Sequence, residues 1–371
     1  MIDRRRALSL ALAAGASASL AGFGARRSEA QQAGAQQSGL VMSEHPLQQS
    51  WQAWKARYMT PEGRVIDDAQ DDASHSEGQG YGLTLAVTFG DQDAFARIYE
   101  WTETNLTLRQ DPLLAWRWHP DTYPPVPDRN NASDGDLFYA WALMRGGRLF
   151  GNPALTARAN EIATTLASHC IVEHPDGGGR LLFLPAAAGF GTPDGFIINP
   201  SYYMARAMRE LASAFGIGTL ATCANDGLAL LAQLGQAAQM PDWIEVTAQG
   251  MRPAEAFSAD SGYEAMRVPL FLLWSGAQEN AALATFSRAH EAAAGDEDGT
   301  PTRFDRLSGA VQERSAHVGY GALPALARCA ASGMAGSSMP PFTDNQPYYP
   351  ATLQLMTMIA QVEVYPRCVP I

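Results

Sequence analysis

Between Pro46 and Val364 apolar residues recur at helical spacing in about eleven separate stretches, and this repetition limits the fold more than any other feature. The first stretch, Pro46 to Tyr58, places Leu47, Trp51, Trp54 and Tyr58 at intervals of four, three and four, an amphipathic helix. Others cover 81–90, 92–107, 134–149, 154–169, 200–215, 218–235, 263–276, 279–294, 316–331 and 348–364. Strand-like runs are few and short, Arg180 to Leu184 and Trp243 to Val246 among them. So many helices with so little strand imply an all-α globule. Short connections alternate with longer Pro- and Gly-rich ones, which suits helical hairpins arranged around an axis. No stretch in 46–371 reads as a linker, so one domain is expected, and 46% hydrophobic residues supply a large core.

The first thirty residues have a basic start at Arg4 to Arg6, an apolar Ala- and Leu-rich middle and a small-residue ending at Ser28 and Ala30. That is the pattern of an export signal, and the successive arginines resemble a twin-arginine signal. A membrane anchor is disfavoured, because Gly, Ser and Ala dilute a run already short for a span. Residues 31–45 read as a flexible mature start, and the mature protein is expected in the periplasm or outside the cell. Loss of 1–30 removes five arginines and two acids, leaving 21 basic and 36 acidic residues, a net charge of −15. Such a surface repels phosphate backbones and anionic headgroups, so nucleic acid and membranes are poor partners, while a neutral polymer is compatible. Cys170, Cys223, Cys329 and Cys368 show no CxxC spacing, so neither a zinc knuckle nor a redox motif is expected. An exported chain can pair Cys329 with Cys368, although spacing does not fix connectivity.

The chemistry is expected first at Ser74 to Gly82, SHSEGQGYG, where Glu77 stands among glycines ahead of an apolar run. Glycines 78, 80 and 82 let a ligand or a neighbouring backbone come close. Glu77 either stabilises a helix start, facing the positive end of its dipole, or serves as a catalytic acid. In the connection from Asp111 to Asn131, Trp116, Trp118 and Tyr123 stand among prolines 112, 124, 125 and 127, a stiff aromatic loop suited to packing or to lining a groove. ASDGD, Ala132 to Asp136, opens the next helix, with Asp134 either an N-cap or a functional carboxylate. NPSYY, Asn199 to Tyr203, offers Ser201 as a helix cap and turns Tyr202 or Tyr203 toward the core or the same opening. In SGYEAMRVPL, Glu264 and Arg267 are three apart, either a surface ion pair or a second catalytic carboxylate oriented by an arginine.

HSEGQGYG, ASDGD, NPSYY, GYEAMRVPL and PYYPATLQL stand in an order and spacing that resemble glycoside hydrolase family 8, notably the endoglucanases associated with bacterial cellulose synthesis. The likeness runs from about Gln49 to Val364. It implies an (α/α)6 barrel, six inner helices ringed by six outer ones, with a cleft at one end for a β-1,4-glucan and no metal or organic cofactor. It further implies Glu77 as general acid, Asp134 as the residue holding the cleaved ring distorted, and Trp116, Tyr263, Tyr348 and Tyr349 as cleft aromatics. Tyr202 and Arg267 complete the expected substrate contacts. An inverting mechanism protonates the leaving oxygen with one carboxyl while another activates water on the opposite face. Family members usually read YDA where this chain reads YEA, so the base is expected at Glu264, one methylene further out, with Asp260 in reserve. Tyr139 and Gly146 also depart from the family pattern, as packing changes. A weak glucan-binding component of a cellulose-export assembly is the competing class, and xylan, chitosan or mixed-linkage glucan are competing substrates.

Overall fold

The apolar stretches become eleven α-helices among residues 40–295, 298–333 and 335–370, which the computed structural model describes. The expected export signal and residues 31–39 lie outside them. In order the helices are α1 (Leu47–Tyr58), α2 (Ser76–Thr88), α3 (Gln92–Asn105), α4 (Ser133–Leu149), α5 (Pro153–His169) and α6 (Ala205–Phe215). There follow α7 (Gly218–Ala237), α8 (Arg267–Trp274), α9 (Ala281–Ala292), α10 (Ala322–Ser332) and α11 (Tyr348–Val364).

Burial sorts these helices into two layers. In the hairpins α2–α3, α4–α5 and α8–α9 the first helix is buried on nearly every side and the second on one face only. A helix that is apolar or small all round belongs in an interior, and one with a single apolar face belongs on its rim. Helix α11, also buried almost throughout, packs against α1, where Trp54 Nε1 donates to Thr352 Oγ1 at 2.9 Å. The first and last helices of the described residues thus meet, and the architecture is the (α/α)6 barrel of the expectation.

Two helices of the inner layer approach unusually closely. A Cβ on Gly135 of α4 would lie 2.3 Å from Ser76 Oγ and 2.6 Å from Glu77 N, and one on Gly80 of α2 would lie 3.0 Å from Gly135 O. Only glycine permits that backbone-to-backbone crossing. Glycine in SEGQGYG and ASDGD therefore admits a neighbouring backbone.

The strands are short and confined to connections. They pair antiparallel as β1 (Ser74–His75) with β2 (Arg117–Trp118), β3 (Ile171–Glu173) with β4 (Leu181–Phe183), and β8 (Thr300–Phe304) with β9 (Val311–Ser315). A three-stranded sheet joins β5 (Gly195–Ile198), β6 (Ile244–Thr247) and β7 (Gly250–Arg252), with Phe196 opposite Val246. The expected runs at 180–184 and 243–246 are β4 and β6. The β8–β9 hairpin escapes sequence reading because it carries charged residues on both strands instead of clean alternation. Cys329 and Cys368 form a disulfide joining α10 to the final turn, and Cys170 and Cys223 are buried thiols. No helix of the described residues is long and apolar enough to cross a membrane.

Candidate active site

The N-termini of α2, α4, α8 and α11 converge on one groove of about 620 Å³, within the usual range for a ligand site. Unsatisfied N–H groups and the positive dipole ends of four helices make this a favourable place for carboxylates. Three are present. Glu77 is the second residue of α2 and the one residue of that helix that is not buried. Asp134 is the second residue of α4, only 2% exposed, with Ala132 in the cap position, so it is a first-turn residue and not an N-cap. Glu264 lies on the turn before α8. That turn is fixed by Asp242, whose Oδ1 accepts the backbone N–H groups of Gly262 and Ala265, each at 2.9 Å.

Arg267, the first residue of α8 and 3% exposed, gathers all three acids. Its Nη1 bonds Glu77 and reaches Asp134 Oδ2 at 3.4 Å, and its Nη2 bonds Glu264 and donates to Ser201 Oγ at 2.8 Å. The Glu264–Arg267 pair joins a buried guanidinium to a carboxylate 36% exposed in the groove, so it is a contact of the site and not a free surface ion pair. Tyr81, buried beneath, places its hydroxyl 3.5 Å from the same Nη1. Burial pushes the Asp134 carboxyl up to about 7, against the opposing effect of hydrogen bonds from the Gly135 N–H and the Tyr202 hydroxyl. Glu264 is likewise pushed up to about 7, by burial and then by the charges of Asp134 and Asp242, while Asn199 opposes the shift. Both carboxyls are thus held above the usual carboxylate range.

The second aspartate of ASDGD has a different task. Asp136 is fully buried, and it accepts the Leu114 backbone N–H at 2.8 Å and Asn131 Nδ2 at 3.0 Å. It anchors the connection that brings Trp116 to the groove. There Trp116 Nε1 donates to Asp128 at 2.9 Å, while Trp118 packs edge-on against Trp101 and Tyr123 is fully exposed.

The sequence model of Glycosyl hydrolases family 8 matches residues 30–363. The chain belongs to glycoside hydrolase family 8. A probable endoglucanase of Novacetimonas hansenii is 35% identical over 85% of this chain and 91% of its own length. An endoglucanase of Cellulomonas uda is 35% identical over 61% of this chain, and the match spans 63% of that protein. In three dimensions the chain resembles a family 8 endoglucanase from Klebsiella pneumoniae, with a TM-score of 0.77 and 31% identity over 85% of this chain and 99% of that one.

Within this family 8 site, Glu77, Trp116, Asp134, Tyr202, Tyr263, Glu264, Arg267 and Tyr349 all line the groove. Two expected residues do not. Tyr348 is 1% exposed and packs at 5.8 Å from Tyr58 and 6.1 Å from Trp54, because the helical turn that sends Tyr349 into the groove sends its neighbour into the core. Asp260 points to the β8–β9 hairpin, held by Arg303 Nη2 at 2.6 Å, so it is no substitute for Glu264. Ser201 also differs from its expected part: Asn199 caps the short 3₁₀ turn Pro200–Tyr202, and α6 begins only at Ala205.

Other lining residues carried no readable signal. His75, Asp67, Gln70, Glu313, His317 and Tyr320 reach the groove from connections that the chain order separates widely. Only His75, within the SHSEGQGYG motif and two residues from Glu77, could have been named from proximity. Burial holds its imidazole down at about 3, so it is neutral.

Proposed function

We propose that the protein is an endo-β-1,4-glucanase that hydrolyses internal bonds of a glucan with inversion at the anomeric carbon. The observation that carries this reading is the trio of Glu77, Asp134 and Glu264 around one guanidinium at the floor of an aromatic-edged groove. Glu77 is the general acid for the leaving oxygen, Glu264 the base for water, and Asp134 the partner of the distorted ring. Inverting glycosidases place their two carboxyls roughly 6.5–9.5 Å apart so that water fits between substrate and base. Tyr263, Trp116 and Tyr349 offer ring faces and edges for sugar stacking at the groove rim.

The testing experiment is release of reducing ends from carboxymethylcellulose, with the anomer followed by NMR. Formation of the α-anomer supports the reading, and β-anomer product or no turnover with glucan binding retained refutes it. A parallel panel of xylan, chitosan and mixed-linkage glucan decides the sugar. Export by the N-terminal signal and work beside a cellulose-synthesising assembly belong to the same proposal. A reporter fused to residues 1–45 tests the first, and co-purification with synthase subunits the second.

A further inference from the structure

Asn199 is fully buried, and both polar atoms of its side chain are engaged. Its Oδ1 accepts the Ser201 backbone N–H at 3.0 Å and the Ser201 hydroxyl at 2.7 Å. A backbone N–H can only donate, so the amide has one orientation and its Nδ2 must face the other way. There it donates to Glu264 Oε2 at 2.8 Å. Ser201 Oγ, having given its proton to Asn199, accepts from Arg267 Nη2 at 2.8 Å, and that Nη2 also donates to Glu264 Oε2. Four side chains thereby close a ring whose handedness is set by the Ser201 backbone N–H on Asn199 Oδ1. Oε2 receives two donors, and no hydrogen bond from the described residues reaches Oε1.

We propose that Asn199 is a positioning residue that ties down Oε2 of Glu264 through this ring and leaves Oε1 as the oxygen that takes the proton of the attacking water. This inference rests on Glu264 being the base. In the step, the water oxygen bonds the anomeric carbon as its proton passes to Oε1. The glycosidic C–O bond breaks, and the leaving oxygen takes the proton of Glu77. The ring also accounts for tolerance of a glutamate here. Its extra methylene adds a rotatable bond, and fixing one oxygen removes the added freedom before the reaction begins.

The pH behaviour follows from the groups facing Glu264. Asp134 and Asp242 disfavour its ionised form, and the Asn199 amide, the Ser201 hydroxyl and the Arg267 guanidinium, shared with Glu77, favour it. The surrounding Tyr81, Tyr202 and Tyr349 hydroxyls stay neutral, since burial pushes each well above its ordinary range.

Asn199→Asp keeps the shape and the acceptor for the Ser201 N–H but replaces the donor with a carboxylate. The low-pH limb of kcat should move up by at least one pH unit and kcat at pH 6 should fall about tenfold, with KM nearly unchanged. Ser201→Ala, which leaves the amide pinned by the backbone, should move the limb the same way by less. A raised KM with an unmoved limb in Asn199→Asp overturns the inference. If that variant does not fold, an unmoved limb in folded Ser201→Ala overturns it. Glu264→Gln separates the two levels: activity there refutes Glu264 as base, whereas an inactive Glu264→Gln with an unmoved limb in Asn199→Asp refutes only the role of Asn199.

Discussion

Glu77 and Asp134 stand on helix first turns that meet backbone to backbone, whereas Glu264 stands on a turn pinned by the Asp242 carboxylate and a ring of polar side chains. The first wall has no slack, because a single methyl at Gly135 would collide with the peptide of Glu77. The second wall is adjustable, since hydrogen bonds tolerate small shifts in donor and acceptor that close-packed atoms do not. The resemblance to family 8 implies an aspartate where this chain has Glu264, and that longer carboxylate stands on the adjustable side.

The largest test of the comparison is Glu77→Gln, which matches the shape without a proton for the leaving oxygen. Turnover on carboxymethylcellulose should fall ~10² to 10⁴-fold with the circular dichroism spectrum unchanged. Asp134→Asn should also cut turnover. It should separately alter the pH dependence of stability. Burial raises the folded-state carboxyl to about 7 from an ordinary value near 4, so its stabilising contribution is complete below pH ~4 and is lost as pH rises through about 7. The fall in Tm between pH 5 and pH 8 should therefore be smaller in Asp134→Asn than in the unchanged protein.

Gly135→Ala probes the close-packed wall directly. The added methyl should cost ~1–3 kcal/mol of stability by denaturant titration, and it should lower kcat by displacing Glu77. Glu264→Asp probes the adjustable wall and should retain or raise activity with the same product anomer. If Gly135→Ala were silent and Glu264→Asp dead, the two walls would have exchanged characters. The smallest effect belongs to Asp260→Asn, which removes a partly exposed pair with Arg303. Its kcat should stay within about twofold of the unchanged protein, and its stability within ~1 kcal/mol.

Much of this was legible in the chain. Helical periodicity located the helices, and motifs beginning at a carboxylate located Glu77 and Asp134, because helix first turns are local features. Tyr348 and Tyr349 show where local reading stops. Both are tyrosines in one motif, and only the helix phase against Trp54 and Tyr58, far away in sequence, decides which faces the groove. Asp136 is the same lesson within ASDGD, a buried anchor for a loop that spacing cannot distinguish from its functional neighbour. The sequence offered Ser201 as the cap, whereas Asn199 takes that part. Its second bond, to Glu264, spans 65 residues and needed the fold to appear.

The disulfide between Cys329 and Cys368 ties the last turn of α10 to the 3₁₀ turn that follows α11, while the groove gathers helix N-termini. Cys368, whose carbonyl accepts the Gln361 side-chain amide, lies roughly 18 Å from Tyr349 along the barrel, since twelve helical residues separate Tyr349 from Gln361. A reducing environment would therefore leave the chemistry untouched and shorten the working life of the molecule, through loss of the ~2–4 kcal/mol that such a link typically supplies. Catalytic rate and survival thus answer to opposite ends of the barrel.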